Sequence, residues 1–264
     1  ILEKSPGGNF LLYQNPRIPG FATRTGEVLE LDRATGQIVP AFARRYALRS
    51  NQSFTSMVRH GDALYATGYT DTVQNFSTSR RMVLTKIDTA TGNVVWSRTG
   101  LTNLSQASYF SAGDILVDDS SLIVLYHGIE TSTTINGAGK VVPVYLQKTT
   151  LDGQVLWVKK FLFPAEYPVL PRDILAVPDG YIIWCGYTSR HLLKTDKDGN
   201  LLVSKILDSS NYFYPSADDL QNHQIERIGS HLFFGMWTAR YGQLGHYTTV
   251  LKTDLNLDMD FDCG

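Results

Sequence analysis

The chain has 264 residues, 43% hydrophobic and 19% charged, an ordinary globular balance with apolar material for a sizeable core. Its 24 basic and 25 acidic residues leave a formal net charge of -1 with no block of like charge, which argues against a nucleic-acid binder that works through a basic patch. No apolar run approaches the roughly 18 residues of a membrane span, the opening ILEKSPGG lacks the regions of a signal peptide, and two cysteines exclude a disulfide framework or a four-cysteine zinc site.

In chain order, the first unit opens on ILEKSPGGNFLLY (Ile1 to Tyr13), two apolar runs about a polar turn, and closes on LELDRATGQIVP (Leu29 to Pro40). The second has MVRHGDALYATG (Met57 to Gly68) followed by LTKIDTATGNVVW (Leu84 to Trp96). The third pairs ILVDDSSLIVLYHG (Ile115 to Gly128) with LQKTTLDGQVLW (Leu146 to Trp157), and the fourth ILAVPDGYIIWCG (Ile174 to Gly186) with LLKTDKDGNLLV (Leu192 to Val203). The fifth has IERIGSHLFFGMW (Ile225 to Trp237) and VLKTDLNLDMDF (Val250 to Phe261), which keeps the start of the motif and loses its glycine. With Asp32, Asp88, Thr150, Asp196 and Asp254 as equivalents, the steps are 56, 62, 46 and 58 residues, a fixed unit with loops of varied length. Short Val-, Ile-, Leu- and Tyr-rich runs bounded by Gly, Asp, Asn and Ser are strand-and-hairpin grammar. The only helical candidate is one turn at Ser216 to Gln221, with Ser216 as cap.

Four antiparallel strands repeated about an axis predict an all-β, five-bladed β-propeller, with blades at about 1-46, 54-98, 112-161, 172-207 and 223-262. This single domain is open to being a segment of a longer protein. Gly36, Gly92, Gly153 and Gly199 fall where a short hairpin needs positive φ. Two and four residues on come Ile38/Pro40, Val94/Trp96, Val155/Trp157 and Leu201/Val203, on one sheet face and able to meet the next unit. Leu257 stands in the glycine column of the fifth unit, so a reshaped last turn is expected there.

The segment KIDTATGNVVW resembles the repeat of quinoprotein β-propellers, and the wider unit resembles propeller repeats of bacterial secreted and surface proteins. The resemblance implies a structural part for Asp32, Asp88, Asp196 and Asp254, for the turn glycines, and for Trp96 and Trp157. Five units are fewer than quinoprotein enzymes carry, and neither an adjacent-cysteine pair nor a cofactor-stacking tryptophan motif is present, so no cofactor is expected.

Antiparallel order puts the short turns, between the first and second and between the third and fourth strands of each unit, on one face and every long connection on the other: 70-82, 101-112, 129-142, 162-172 and 208-222. On that loop face Tyr69-Thr70, Tyr187-Thr188 and Trp237-Thr238 would end second strands, aromatic platforms with a hydroxyl beside them that suit a sugar ring or an extended peptide. The first expectation is therefore a non-enzymatic binding or adhesion module of a secreted or cell-surface protein, taking a glycan or protein partner. A second is a five-bladed carbohydrate-active enzyme using Asp114, Asp173 and a third acid, Asp218 and Asp219 lying on a nearby loop. A third is a structural spacer or assembly subunit. Asp114-Ile115-Leu116 and Asp173-Ile174-Leu175 also read as one repeated element whose carboxylates bind backbone donors at the strand entry. No histidine pair has metal-ligand spacing, the Asp254 to Asp262 alternation lacks the glycine and glutamate of a calcium loop, and no metal is expected. Cys185, inside YIIWCGY, reads as a buried thiol.

Overall fold

A computed structural model describes residues 2–3, 8–15, 25–46, 52–74, 77–99, 107–130, 143–163, 169–186, 190–207, 224–239 and 246–258. All its regular elements are strands. The first blade holds β1 (Leu2–Glu3), β2 (Phe10–Gln14), β3 (Gly26–Leu31) and β4 (Ile38–Tyr46). The second holds β5 (Gln52–His60), β6 (Ala63–Gln74), β7 (Ser77–Asp88) and β8 (Val94–Thr99), and the third β9 (Ala107–Asp118), β10 (Ser121–Glu130), β11 (Val144–Thr150) and β12 (Val155–Phe161). The fourth holds β13 (Pro171–Val177), β14 (Gly180–Gly186), β15 (Arg190–Asp196) and β16 (Leu201–Leu207). Of the fifth, β17 (Gln224–Ile228), β18 (His231–Ala239) and β19 (His246–Asp254) are described. Each set is an antiparallel meander in chain order, and one parallel bridge, Arg80 to Tyr109, links the second sheet to the third. The fold is the expected five-bladed propeller. No helix among the described residues is long and apolar enough to cross a membrane.

Two details of the loop face differ from expectation. Residues 70-82, read as a loop because Thr, Asp, Gln, Asn and Ser fill them, continue the β6–β7 ladder as far as Gln74 opposite Ser77. Tyr69 and Thr70 therefore lie within β6 rather than at its end. The single turn at Ser216 falls outside the described residues.

The core is a series of apolar layers between successive sheets. One layer holds Leu11, Val28 and Phe42 with Met57 and Leu64; another holds Ile123, Leu125 and Leu146 with Ile174, Tyr181 and Ile183. Burial of such side chains supplies the main stabilisation, at about 25 cal/mol per Å² of apolar surface. Strand β14 is buried along its whole length, which is why GYIIWCG is apolar on both faces rather than alternating.

The outer turns explain the repeated motif. The Asp32 carboxylate accepts the amides of Ala34 and Thr35 and the Thr35 hydroxyl, and Gly36 at φ 69° returns its amide to the Asp32 carbonyl. These bonds, first that from the Thr35 hydroxyl, hold the Asp32 carboxyl below its ordinary range, and Asp88 is held likewise by Thr91. At Asp196 the donors are the Asp198 and Asn200 amides and the Asn200 side chain. Where the third blade has Thr150, its hydroxyl accepts the Gln154 amide.

The glycines have a second reason. A Cβ on Gly153 would lie 3.2 Å from the Trp96 ring, and one on Gly199 would lie 2.8 Å from the Trp157 ring. The outer-strand aromatic of one blade thus lies on the turn of the next. In the first blade this residue is Phe42, packed over Gly92, and not the expected Pro40. Between the Leu29–Ala43 and Leu31–Ile38 pairs, β4 carries extra residues that displace the aromatic by two positions. Trp157→Ala is expected to cost about 3 kcal/mol by opening a cavity between blades, readable as a lower urea midpoint at unchanged m-value.

The fifth turn corrects the sequence reading. Leu257 adopts φ 65° and the turn is not reshaped: its amide reaches the Asp254 carbonyl at 3.1 Å, as Gly199 reaches Asp196 at 3.1 Å. The Leu257 side chain is fully buried in the layer that Val203 packs against. Val203 is opposite Lys194 as Trp157 is opposite Lys148, so a valine–leucine pair fills the space that tryptophan and glycine fill elsewhere.

Candidate functional site

The same irregularity recurs at the entry of three successive inner strands. The register slips between Phe54 and Ser56 in β5, between Ala112 and Asp114 in β9, and between Pro171 and Asp173 in β13. The extra residues are Thr55, Gly113 and Arg172. A bulge turns its extra residue away from the ladder and re-aims the next side chain. Here all three extra residues line one cavity of about 480 Å³ at the inner ends of the blades, on the loop face. Tyr13, Asn15 and Ser53 complete much of its polar wall, and Tyr69 borders it.

Several of these groups are fixed by the backbone. The Asn15 amide donates to the Phe54 carbonyl at 2.6 Å and accepts the Phe54 amide at 2.7 Å, tying the first blade to the second. The Tyr13 hydroxyl donates to the Thr55 carbonyl at 3.2 Å. Burial, and then the negative charge of Asp114, push the Tyr13 phenol up, so it stays a donor. Arg172 donates through Nε to the Gly186 carbonyl at 3.1 Å, which sets the plane of its guanidinium.

Directly after the bulges come Ser56, Asp114 and Asp173, one column across three blades. The Ser56 hydroxyl donates to Asp114 Oδ1 at 2.5 Å, and Asp114 Oδ2 accepts the Ile174 amide of the next blade at 3.2 Å. Asp173 accepts its own blade's Ile174 amide at 2.8 Å and, through Oδ2, the Ile225 amide of the fifth blade at 2.6 Å. The two carboxylates thus converge on the single Ile174 amide. Burial, and then the neighbouring Asp114 carboxylate, push the Asp173 carboxyl up to about 8.

The predicted site residues are thus divided. Asp114 and Asp173 come together, but on one shared donor, the Ile174 amide at 3.2 and 2.8 Å, rather than across the gap that a retaining or inverting pair leaves for a sugar or a water. Tyr69 borders the cavity, while Thr70 is buried behind it. Tyr187, Thr188, Asp218 and Asp219 lie outside the described residues, and of Trp237 and Thr238 only the pairing with Thr248 and Tyr247 is described. Among the described residues no group of three or more His, Cys, Asp or Glu is placed to hold a metal. Sequence reading missed Tyr13, Asn15, Ser53, Thr55, Arg172 and Ser56. Only Ser56 left a signal: it precedes Met57 as Asp114 precedes Ile115 and Asp173 precedes Ile174.

No family model and no curated sequence matches the chain. Among solved structures, it is similar to the α-L-arabinofuranosidase Arb93A of Fusarium graminearum in complex with an iminosugar inhibitor, at TM-score 0.58 and 13% identity over 94% of this chain and 72% of that one. It is also similar to the GH32 β-fructofuranosidase BmSUC1 of Bombyx mori, at TM-score 0.51 and 11% identity over 94% of this chain and 58% of that one. The chain therefore spans well under two thirds of the Bombyx enzyme's length. At such identities the likeness establishes the propeller fold. It also overturns the expectation of a non-enzymatic glycan- or protein-binding module: the propellers the chain superposes on are glycoside hydrolases, which favours the enzyme reading over it.

Proposed function

We propose that the protein is a carbohydrate-active hydrolase that cleaves a glycosidic bond held in the cavity at the inner strand ends. The observation that carries this reading is a pair of part-buried carboxyl groups converging on one amide, one residue beyond the bulges that line a polar cavity, with the Asp173 carboxyl pushed up by its burial and its neighbour. Glycosidic cleavage needs a group still protonated at neutral pH to protonate the leaving oxygen, and burial beside a second carboxylate is a physical means of keeping one. Because Asp114 and Asp173 share the Ile174 amide, they act as a single acid unit. The second carboxylate, base or nucleophile, then comes from the loop face, where Asp218 and Asp219 are the sequence candidates. Tyr13, Tyr69, Ser53 and Thr55 line the cavity, aromatic and hydroxyl side chains of the kind that bind a sugar.

The kinship of the hairpin motif to quinoprotein repeats is part of this proposal as a matter of repeat grammar alone, with no quinone. An extracellular or cell-surface setting, where polymeric glycans are met, fits the reading, as does a propeller domain within a longer chain.

The test is hydrolysis of a panel of aryl glycosides and oligosaccharides that includes α-L-arabinofuranosides and β-fructofuranosides, the classes named for the two enzymes above. Release of sugar that falls at least 100-fold in Asp173→Asn and Tyr69→Ala, with both variants folded, is expected. No release from any substrate, or release indifferent to both changes, overturns the reading.

A further inference from the structure

The carboxyl pair does more than follow the bulges that line the cavity. Its bonds cross three blade boundaries: Ser56 of the second blade to Asp114 of the third, Asp114 to Ile174 of the fourth, and Asp173 to Ile225 of the fifth. All four carboxylate oxygens accept a donor, and the donors lie on β5, β13 and β17. In the described part of the ring this is a continuous chain of side-chain bonds near the inner strand ends. We propose that the Asp114–Asp173 pair is a proton-binding site that clasps the inner strands of the second to fifth blades, and that losing its proton loosens the ring.

The physical reason is local. With one proton present, the pair is a carboxylic acid donating to a carboxylate, and every remaining oxygen meets an N–H or O–H. Without it, two partly buried anions converge on one amide. Among the described neighbours, each side-chain bond is already directed elsewhere or spent. Tyr13 of β2 has its hydroxyl turned to the Thr55 carbonyl, Ser56 already donates, and Arg172 of β13 directs Nε to the Gly186 carbonyl. An unfolded chain ionises both acids in the ordinary carboxylate range, near pH 4. The folded chain holds the proton until pH reaches about 8. Between those limits the folded state binds more protons than the unfolded state, so the clasp's contribution declines as pH rises and is lost above pH 8.

The clasp is read by unfolding and so is independent of hydrolysis. The experiment is thermal unfolding at constant ionic strength from about pH 5 to pH 8.5 for the wild-type protein, Asp173→Asn and Asp114→Asn. Either amide supplies a permanent N–H donor to the remaining carboxylate. The wild-type Tm is expected to fall across this interval, and the variants are expected to lose at least half of that fall. A flat wild-type profile, or variants with the full wild-type slope, overturns the proposal. Should neither variant fold, the wild-type protein decides alone: unfolding near pH 7.5 releases about one proton if the pair holds one, and release of none refutes the clasp. A clasp confirmed in a protein without hydrolytic activity would leave the proposed function refuted and the clasp standing.

Discussion

Gly68→Ala is expected to be among the most damaging single substitutions in the protein, costing more than about 4 kcal/mol and leaving little soluble product. Gly68 sits inside β6 with Phe54 on one side and Val83 on the other, so its backbone is paired on both edges. A Cβ there would be driven into the Ser53 carbonyl, with the Phe54 backbone close behind. Neither is the movable end of a side chain. The crowding is local to the bulge at Thr55, where β5 bends inward to deliver Ser53 and Thr55 to the cavity wall. Relief by sliding β5 would carry Ser56 away from Asp114 as well. Comparison of soluble yield and urea midpoint with Gly235→Ala, whose added Cβ meets nothing within 4 Å, isolates the effect. Equal stability of the two variants would refute this account of the bend.

The second large effect concerns Leu257 and its sign. Substitution by glycine relieves a left-handed conformation that costs an ordinary residue roughly 1–2 kcal/mol. It also empties a fully buried leucine site, worth about 2–5 kcal/mol in comparable truncations. Burial outweighs strain, and Leu257→Gly is expected to destabilise by about 2 kcal/mol despite restoring the residue of the other four turns. The complement to that loss is across the blade boundary. Val203→Trp in the Leu257→Gly background recreates the tryptophan-on-glycine arrangement of Trp157 over Gly199. The double variant is expected to recover about 1 kcal/mol or more over the single glycine variant, a coupling characteristic of residues that share one space. Additive losses would show that the two positions do not exchange volume.

How much of the fold and the site was legible in the sequence depends on how local each constraint is. The Asp88–Gly92 turn is written in five consecutive residues, because a positive φ and a carboxylate that gathers amides are both local demands. The Trp96 and Trp157 columns were readable for the same reason, whereas Phe42 was hidden by residues inserted in β4 that leave no compositional mark. Asp114 and Asp173 could be aligned, and their use of backbone donors anticipated, but not their convergence on one amide, which depends on how adjacent blades tilt. The bulges at Thr55, Gly113 and Arg172 are single extra residues of three different types, and no shared residue announces them. Residues 70-82 misled in the opposite direction: their polar composition suggested a loop, while backbone pairing, indifferent to composition, extends the hairpin. Tyr13 and Asn15 reach the cavity from another blade, a relation no local pattern encodes.

The outer-strand packing also gives the ring a direction. Phe42 covers the turn of the blade after it, Trp96 and Trp157 do the same in succession, and Lys205 reaches forward to Asp258. Every such boundary thus has a side that supplies a cover and a side that needs one. Removing a blade at the start of the series bares a glycine turn, whereas removing the fifth bares no such turn, only the Val203 flank and the Ile182, Trp184 and Leu192 layer beneath it. Shortening this chain from its two ends should therefore be an unequal operation, with the earlier blades acting as the lids of the later ones.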